Sequence, residues 1–142
     1  MTTVRTGTCH CGAVAFEVTL ENGLQDLRRC NCSLCRRKGT IMASVLVGSL
    51  TVTRDADMLS IYQWNTKAAK HYFCKTCGIY THHQRRSNTK EYGVNVACLE
   101  GLSPFDFETV PVMDGVHHPS DGKSSGIIGH LKFSRSRDSD LL

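Results

Sequence analysis

The stretch Thr8-Cys9-His10-Cys11-Gly12-Ala13-Val14-Ala15-Phe16-Glu17-Val18-Thr19-Leu20 decides the fold in two steps. Its second half alternates. Val14, Phe16, Val18 and Leu20 face one way, while Ala15, Glu17 and Thr19 face the other, the period of a half-buried strand. Its first half sets two cysteines one residue apart and follows them with glycine. Neighbours so spaced do not readily bridge to each other, but both can point at one ion.

Outward from this strand the chain keeps the same character. Asn22 and Gly23 supply a turn. Further β-rich stretches run over Ile41–Val47, Leu50–Thr53, Leu59–Trp64, Ala69–Phe73, Gly78–His82 and Tyr92–Leu99, each short and bounded by Gly, Asn, Asp or Ser. Helical periodicity is confined to a turn or two at Ser33–Lys38, with Ser33 as N-cap, and a short turn at Ala56–Leu59. The expectation is a mainly β fold with little helix, its short strands shared among more than one small sheet. A zinc domain over residues 1–120 would be followed by a polar, Ser/Gly-rich tail over 121–142, loosest from Ser134 to Asp140.

At 142 residues the chain can bury a single apolar core. Its net charge of +4 admits an anionic ligand but is too small to point to nucleic acid. Met1–Cys9 lacks the apolar core of a signal peptide, and no run of about 18 apolar residues could span a bilayer. The expected location is the cytoplasm. In that reducing compartment clustered cysteines bind metal more often than they form disulfides. The sequence leaves a homodimer open.

Seven of the eight cysteines fall into three groups: Cys9/Cys11, Cys30/Cys32/Cys35 and Cys74/Cys77. Cys74-Lys75-Thr76-Cys77-Gly78 is a C-x-x-C-G knuckle, whose two sulfurs can reach one zinc at about 2.3 Å. Glycine after the second cysteine permits φ > 0 where the chain turns away from the metal. A tetrahedral site needs two more thiolates, and the similar Cys11-Gly12 ending nominates Cys9 and Cys11. Cys9, Cys11, Cys74 and Cys77 should therefore hold a closed, structural zinc. Cys30-Asn31-Cys32-Ser33-Leu34-Cys35 crowds three thiolates into six residues, and no clustered cysteine remains to complete the set. Three protein ligands with an open position are the arrangement of ligand-exchanging zinc sites. Arg28, Arg29, Arg36, Arg37 and Lys38 flank this triad, where they would favour thiolates and attract a small anion. The plainer alternative is a solvated basic surface.

Cys98 stands alone and reads as a small buried hydrophobe. His10 should point away from the metal that its neighbours bind. His71, His82 and His83 read as packing residues before fourth ligands or proton shuttles. His117 and His118 sit in a loop-like stretch, and Tyr62 and Trp64 read as core. No Ser/His/Asp arrangement, phosphate loop or carboxylate pair stands out, which leaves sulfur and metal to carry any chemistry.

The clusters in order, with Tyr92-Gly93-Val94-Asn95-Val96-Ala97-Cys98-Leu99 and Asp114-Gly115, resemble the glutathione-dependent formaldehyde-activating enzyme (CENP-V/GFA) family from about Gly7 to Pro119. The resemblance implies a β-tent fold with two zinc ions per chain. The structural zinc would sit on Cys9, Cys11, Cys74 and Cys77. The second would sit on Cys30, Cys32 and Cys35, where the family's glutathione binds. It also implies a carbon–sulfur lyase reaction of the S-(hydroxymethyl)glutathione synthase type, in which a small thiol such as glutathione adds to an aldehyde such as formaldehyde. Arg36 and Arg37 are the expected holders of the thiol's carboxylates. Two rival expectations stand beside it: a non-catalytic zinc-stabilised module that binds a protein or nucleic-acid partner, and a purely structural second zinc capped by a histidine such as His71 or by a partner chain.

Overall fold

The computed structural model describes residues 1–118 and 126–137. It is mainly β. In chain order the elements are β1 (Thr2–Thr8), β2 (Ala15–Glu21), β3 (Gln25–Cys30), α1 (Cys35–Lys38), β4 (Met42–Leu46), β5 (Leu50–Arg54), β6 (Leu59–Tyr62), β7 (Lys70–Cys74), β8 (Tyr80–Gln84), β9 (Glu91–Asn95), β10 (Thr109–Met113) and β11 (Ile127–Lys132). They form two sheets, one of three strands in the order β1-β2-β5 and one of eight in the order β11-β10-β3-β4-β9-β8-β7-β6. The second sheet is larger than the short strands alone suggest.

The alternation in β2 does what its pattern requires. Phe16, Val18 and Leu20 are buried, and they meet Val45, Val94, Cys98 and Leu99 in the largest apolar cluster. Residues opposite each other in an antiparallel ladder share a face, so the registers sort the large sheet into two. Ala43, Val94 and His82 lie in one row across β4, β9 and β8, turned toward the small sheet, where the His82 and Phe16 rings are 6.1 Å apart. The opposite face carries the row Ser44–Gly93–His83–His71 across β4, β9, β8 and β7. Beside it Arg28 pairs with Met42, and Met42 with Asn95. One face thus makes the core and the other presents polar groups.

Several expectations change here. The stretch Tyr92–Leu99 is a strand only to Asn95, whose side chain accepts the Ala97 N–H at 3.1 Å and starts a 3-10 turn over Val96–Cys98. Ser33 does not cap α1. The helix begins after Leu34 with no side-chain cap, and the Cys35 N–H reaches Cys32 Sγ at 3.3 Å instead. Strands β1 and β3 have no apolar alternation to announce them, and in β10 the Val110/Val112 alternation is interrupted by Pro111. In β10 Pro111 is tolerated because the β3 register involves Val112 and Met113 only. Strand β11 lies within the stretch read as a polar tail and pairs with β10 from Lys132 to Ile127. Residues 121–125 and 138–142 of that stretch, the end of the Ser134–Asp140 segment included, lie outside the described residues.

Candidate metal centres and the adjoining cavity

Cys9 and Cys11 leave the end of β1 and precede β2, whereas Cys74 ends β7 and Cys77 follows it in the turn to β8. The turns that converge belong to different sheets. The four Sγ atoms all lie within 4.8 Å of one another. Cys11 Sγ is 3.7 Å from both Cys9 Sγ and Cys74 Sγ. A metal–sulfur bond of about 2.3 Å in a tetrahedron requires an edge of about 3.8 Å, so the set fits such an ion. Backbone donors tune the sulfurs. Val14 N–H reaches Cys9 Sγ at 3.3 Å and Thr76 N–H reaches Cys74 Sγ at 3.3 Å. The Cys77 N–H, then that of Thr76, holds Cys74 below the usual thiol range against the opposing effect of burial. Gly12 at φ +80° and Gly78 at φ +76° turn both knuckles away from the sulfurs, as the spacing predicts.

The second cluster stands at the end of β3 and the start of α1. Cys30, Cys32 and Cys35 Sγ also lie within 4.8 Å of one another, and among the described residues no fourth Cys, His, Asp or Glu atom joins all three within that limit. Cys32 N–H reaches Cys30 Sγ at 3.4 Å. Hydrogen bonds from Cys30 and then Cys35 hold Cys32 well below the usual thiol range, while the same two partners, with burial, push Cys35 up.

The parallel pairing of β10 with β3, Met113 against Cys30, delivers the Asp114-Gly115 loop to the same end of the sheet as the triad. Asn31 fastens the two together, its Oδ1 accepting the N–H groups of Gly115 at 2.7 Å and Val116 at 3.3 Å. A Cβ on Gly115 would lie 2.3 Å from Cys30 Sγ and 2.8 Å from Cys32 Cβ, so only glycine fits. Asp114 orders the rest of the loop by accepting from the N–H groups of Val116 and His117 and pairing with His117 Nδ1 at 2.9 Å.

The triad opens onto a cavity of about 210 Å³. Its wall includes Cys30, Cys32 and Cys35, the sheet residues Arg28, Met42, His71 and His83, and Trp64, Arg85, Arg86, Asp114, Gly115 and His118. Arg28 is buried at 8% exposure. It shares the Ser44 hydroxyl with Arg85, at 2.9 and 3.0 Å, and Arg85 pairs with Glu91 at 2.6 Å.

Arg36 and Arg37 are exposed and absent from this wall. Helical geometry explains it. Within one turn from the inward-facing Cys35, positions 36 and 37 rotate outward and position 38 returns. Arg37 donates to the Ser33 carbonyl at 2.6 Å. Lys38 reaches His71 Nδ1 at 3.1 Å and lies 3.5 Å over the Tyr80 ring.

The other singled-out residues separate. Cys98 is buried in the core, where burial raises it to about 12, and its Sγ meets the Tyr80 carbonyl at 3.6 Å. His10 is exposed. His82 is core, stacked on Tyr72 with centroids 4.5 Å apart, whereas His71 and His83 are both packed and cavity-lining. Tyr62 and Trp64 are not core: they are 49% and 38% exposed, on and just beyond the edge strand β6. Aromatic residues in a short strand give no sign in sequence that the strand lies at a sheet edge. Arg28 is legible among the cations flanking the triad. Arg85 and Arg86 carry no motif, and Gly93 is legible only within the Tyr92–Leu99 segment.

Comparison with known proteins gives three findings. A model of the family described as "Glutathione-dependent formaldehyde-activating enzyme" matches residues 4–113. A Halomonas elongata protein named "Putative glutathione-dependent formaldehyde-activating enzyme" is 37% identical over 79 residues, 50% of this chain and 50% of that one, so the chain matches about half the length of this curated relative. A crystal structure of a Rhodobacter sphaeroides protein is similar at 61% identity with a TM-score of 0.73, covering 75% of this chain and 98% of that chain.

Proposed function

Since the chain belongs to the glutathione-dependent formaldehyde-activating enzyme family, we propose that it is an enzyme that adds a small carboxylate-bearing thiol such as glutathione to a small aldehyde such as formaldehyde. The reaction is of the S-(hydroxymethyl)glutathione synthase type, a carbon–sulfur lyase equilibrium. The observation that carries this reading is a thiolate triad with no fourth ligand among the described residues, facing a cavity. The chain's working place is the cytoplasm. No helix among the described residues is long and apolar enough to cross a membrane.

Both donor sets are soft thiolates at distances that suit a tetrahedral ion, and zinc is the proposed occupant of each. Cys9, Cys11, Cys74 and Cys77 would hold one and Cys30, Cys32 and Cys35 the other. Bound at the triad, zinc supplies the Lewis acidity that favours a thiolate over a thiol at neutral pH. The chain does the rest. Arg28, Arg85 and Arg86 give the cavity the positive charge that a thiol's carboxylates require. This role passes to them from Arg36 and Arg37, which stand outside it. Trp64 supplies an apolar part of the cavity wall.

Titrating glutathione into zinc-loaded protein by calorimetry, followed by addition of formaldehyde with NMR detection of the hydroxymethyl thioether, tests the reading. Saturable heat and product are expected. No heat at millimolar glutathione would overturn it.

A further inference from the structure

His71 and His83 face each other across β7 and β8 and both line the cavity. Their rings stack, with centroids 5.1 Å apart and planes inclined by 19°. Each ring is held at Nδ1, and the two holders have opposite hydrogen-bonding sense. At His71 the holder is Lys38 Nζ, 3.1 Å away. An ammonium has donors and no acceptor, so His71 Nδ1 accepts and the neutral ring carries its proton on Nε2. The contact of Lys38 with the Tyr80 ring face fixes the ammonium in this position.

At His83 the holder is the Tyr80 hydroxyl. That hydroxyl has one proton, and it donates to the Gly93 carbonyl at 3.0 Å. A carbonyl only accepts. The Tyr80 oxygen therefore accepts from His83 Nδ1–H, which leaves neutral His83 with a bare lone pair on Nε2. Neither Nε2 has a hydrogen-bond partner among the described residues. Burial keeps both rings neutral. His71 is lowered to about 4 by burial and then by Lys38, and His83 lies well below the usual range for the same reasons. Room for the His83 ring comes from Gly93, where a Cβ would lie 2.4 Å from His83 Cε1.

We propose that the stacked histidines are an acid–base couple preset in opposite tautomers, His83 Nε2 taking the proton of the incoming thiol and His71 Nε2–H holding the aldehyde oxygen. This rests on the thiol-addition reading. As the C–S bond forms, the carbonyl π pair moves onto oxygen, which His71 Nε2–H stabilises as a hydrogen-bond donor. The proton that left sulfur for His83 Nε2 then passes to that oxygen, so the product keeps it and both rings return to their starting state. Tyr80 and Lys38 are positioning residues, since each acts through the ring it orients.

Long-range proton–nitrogen correlation NMR on the zinc-loaded protein with labelled histidine reads the tautomers directly. At pH 7 His83 is expected as the Nδ1–H form and His71 as the Nε2–H form. Tyr80→Phe should shift His83 toward Nε2–H and leave His71 as it was. The same tautomer at both rings, or a charged ring at pH 7, overturns the couple. In turnover, His83→Gln should lower kcat by about 100-fold or more with glutathione affinity within twofold of wild type. A loss confined to affinity overturns the assignment of His83 as base. Wild-type protein that gives no heat with glutathione overturns the thiol-addition reading and the substrate assigned to the pair, whereas matching tautomers overturn the pair alone.

Discussion

The two cysteine clusters are built from the same chemistry and differ in what surrounds them. The Cys9/Cys11/Cys74/Cys77 set lies between turns of two different sheets, with Val14 and Met58 packed about it. The Cys30/Cys32/Cys35 set lies at one end of a single sheet, fastened by Asn31 to a loop and open to a cavity. A ligand set that joins two sheets contributes to folding, because an ion bound there holds distant segments together. A set drawn from six consecutive residues closes almost no loop, so its occupancy changes little except the local chemistry.

That contrast can be broken by experiment. The largest effect is expected at the closed site. Cys74→Ser should abolish the cooperative thermal transition or lower it severely, since structural thiolate sites are worth on the order of 10 kcal/mol. Cys32→Ser should retain the transition and lose one metal equivalent by elemental analysis. Equal losses of stability in the two variants would show that the clusters do not differ in role.

Acid should act next most strongly, and on the core side of the sheet. Burial holds His82 at about 4 against an ordinary 6.5. Between these values the unfolded ring binds a proton and the folded ring does not, so stability is full above pH 6.5 and falls as pH drops toward 4. The ring accounts for up to about 3 kcal/mol of that loss. Denaturant midpoints across this window should fall less steeply in His82→Phe. An unchanged slope would exclude the ring as a cause.

Gly115→Ala sharpens the comparison from the other side. Its Cβ would meet Cys30 Sγ, so the triad must shift. We expect metal affinity at the second site to fall by about 10- to 100-fold, read by chelator competition, with the first equivalent and the melting temperature little changed. The smallest effect is expected for Arg36→Ala, exposed and outside the cavity, with glutathione affinity within about twofold of wild type. A tenfold loss there would restore Arg36 as a carboxylate holder.

Sequence reading was most informative where the spacing along the chain is itself the geometry. Knuckle spacing, the Cys-Gly endings and the alternation Val14–Leu20 each specify positions a few residues apart, and the structure brings the same sulfurs together and buries the same side chains. It was least informative where partners are remote. Strand β3 looks polar because Arg28 points into a cavity whose other walls come from β4 and the segment after β8.

What the sequence by itself determined is the division of seven cysteines into two groups and the mainly β character of the chain, since both depend on local periods of two or three residues. The tertiary structure alone decided which cations stand near the triad, because one helical turn aims Lys38 inward and Arg36 and Arg37 outward, while Arg85 arrives from the segment after β8. It also decided the placement of His71 beside His83, a consequence of the β7–β8 register and of the missing side chain at Gly93. Register is a property of paired strands, and no single strand's pattern contains it.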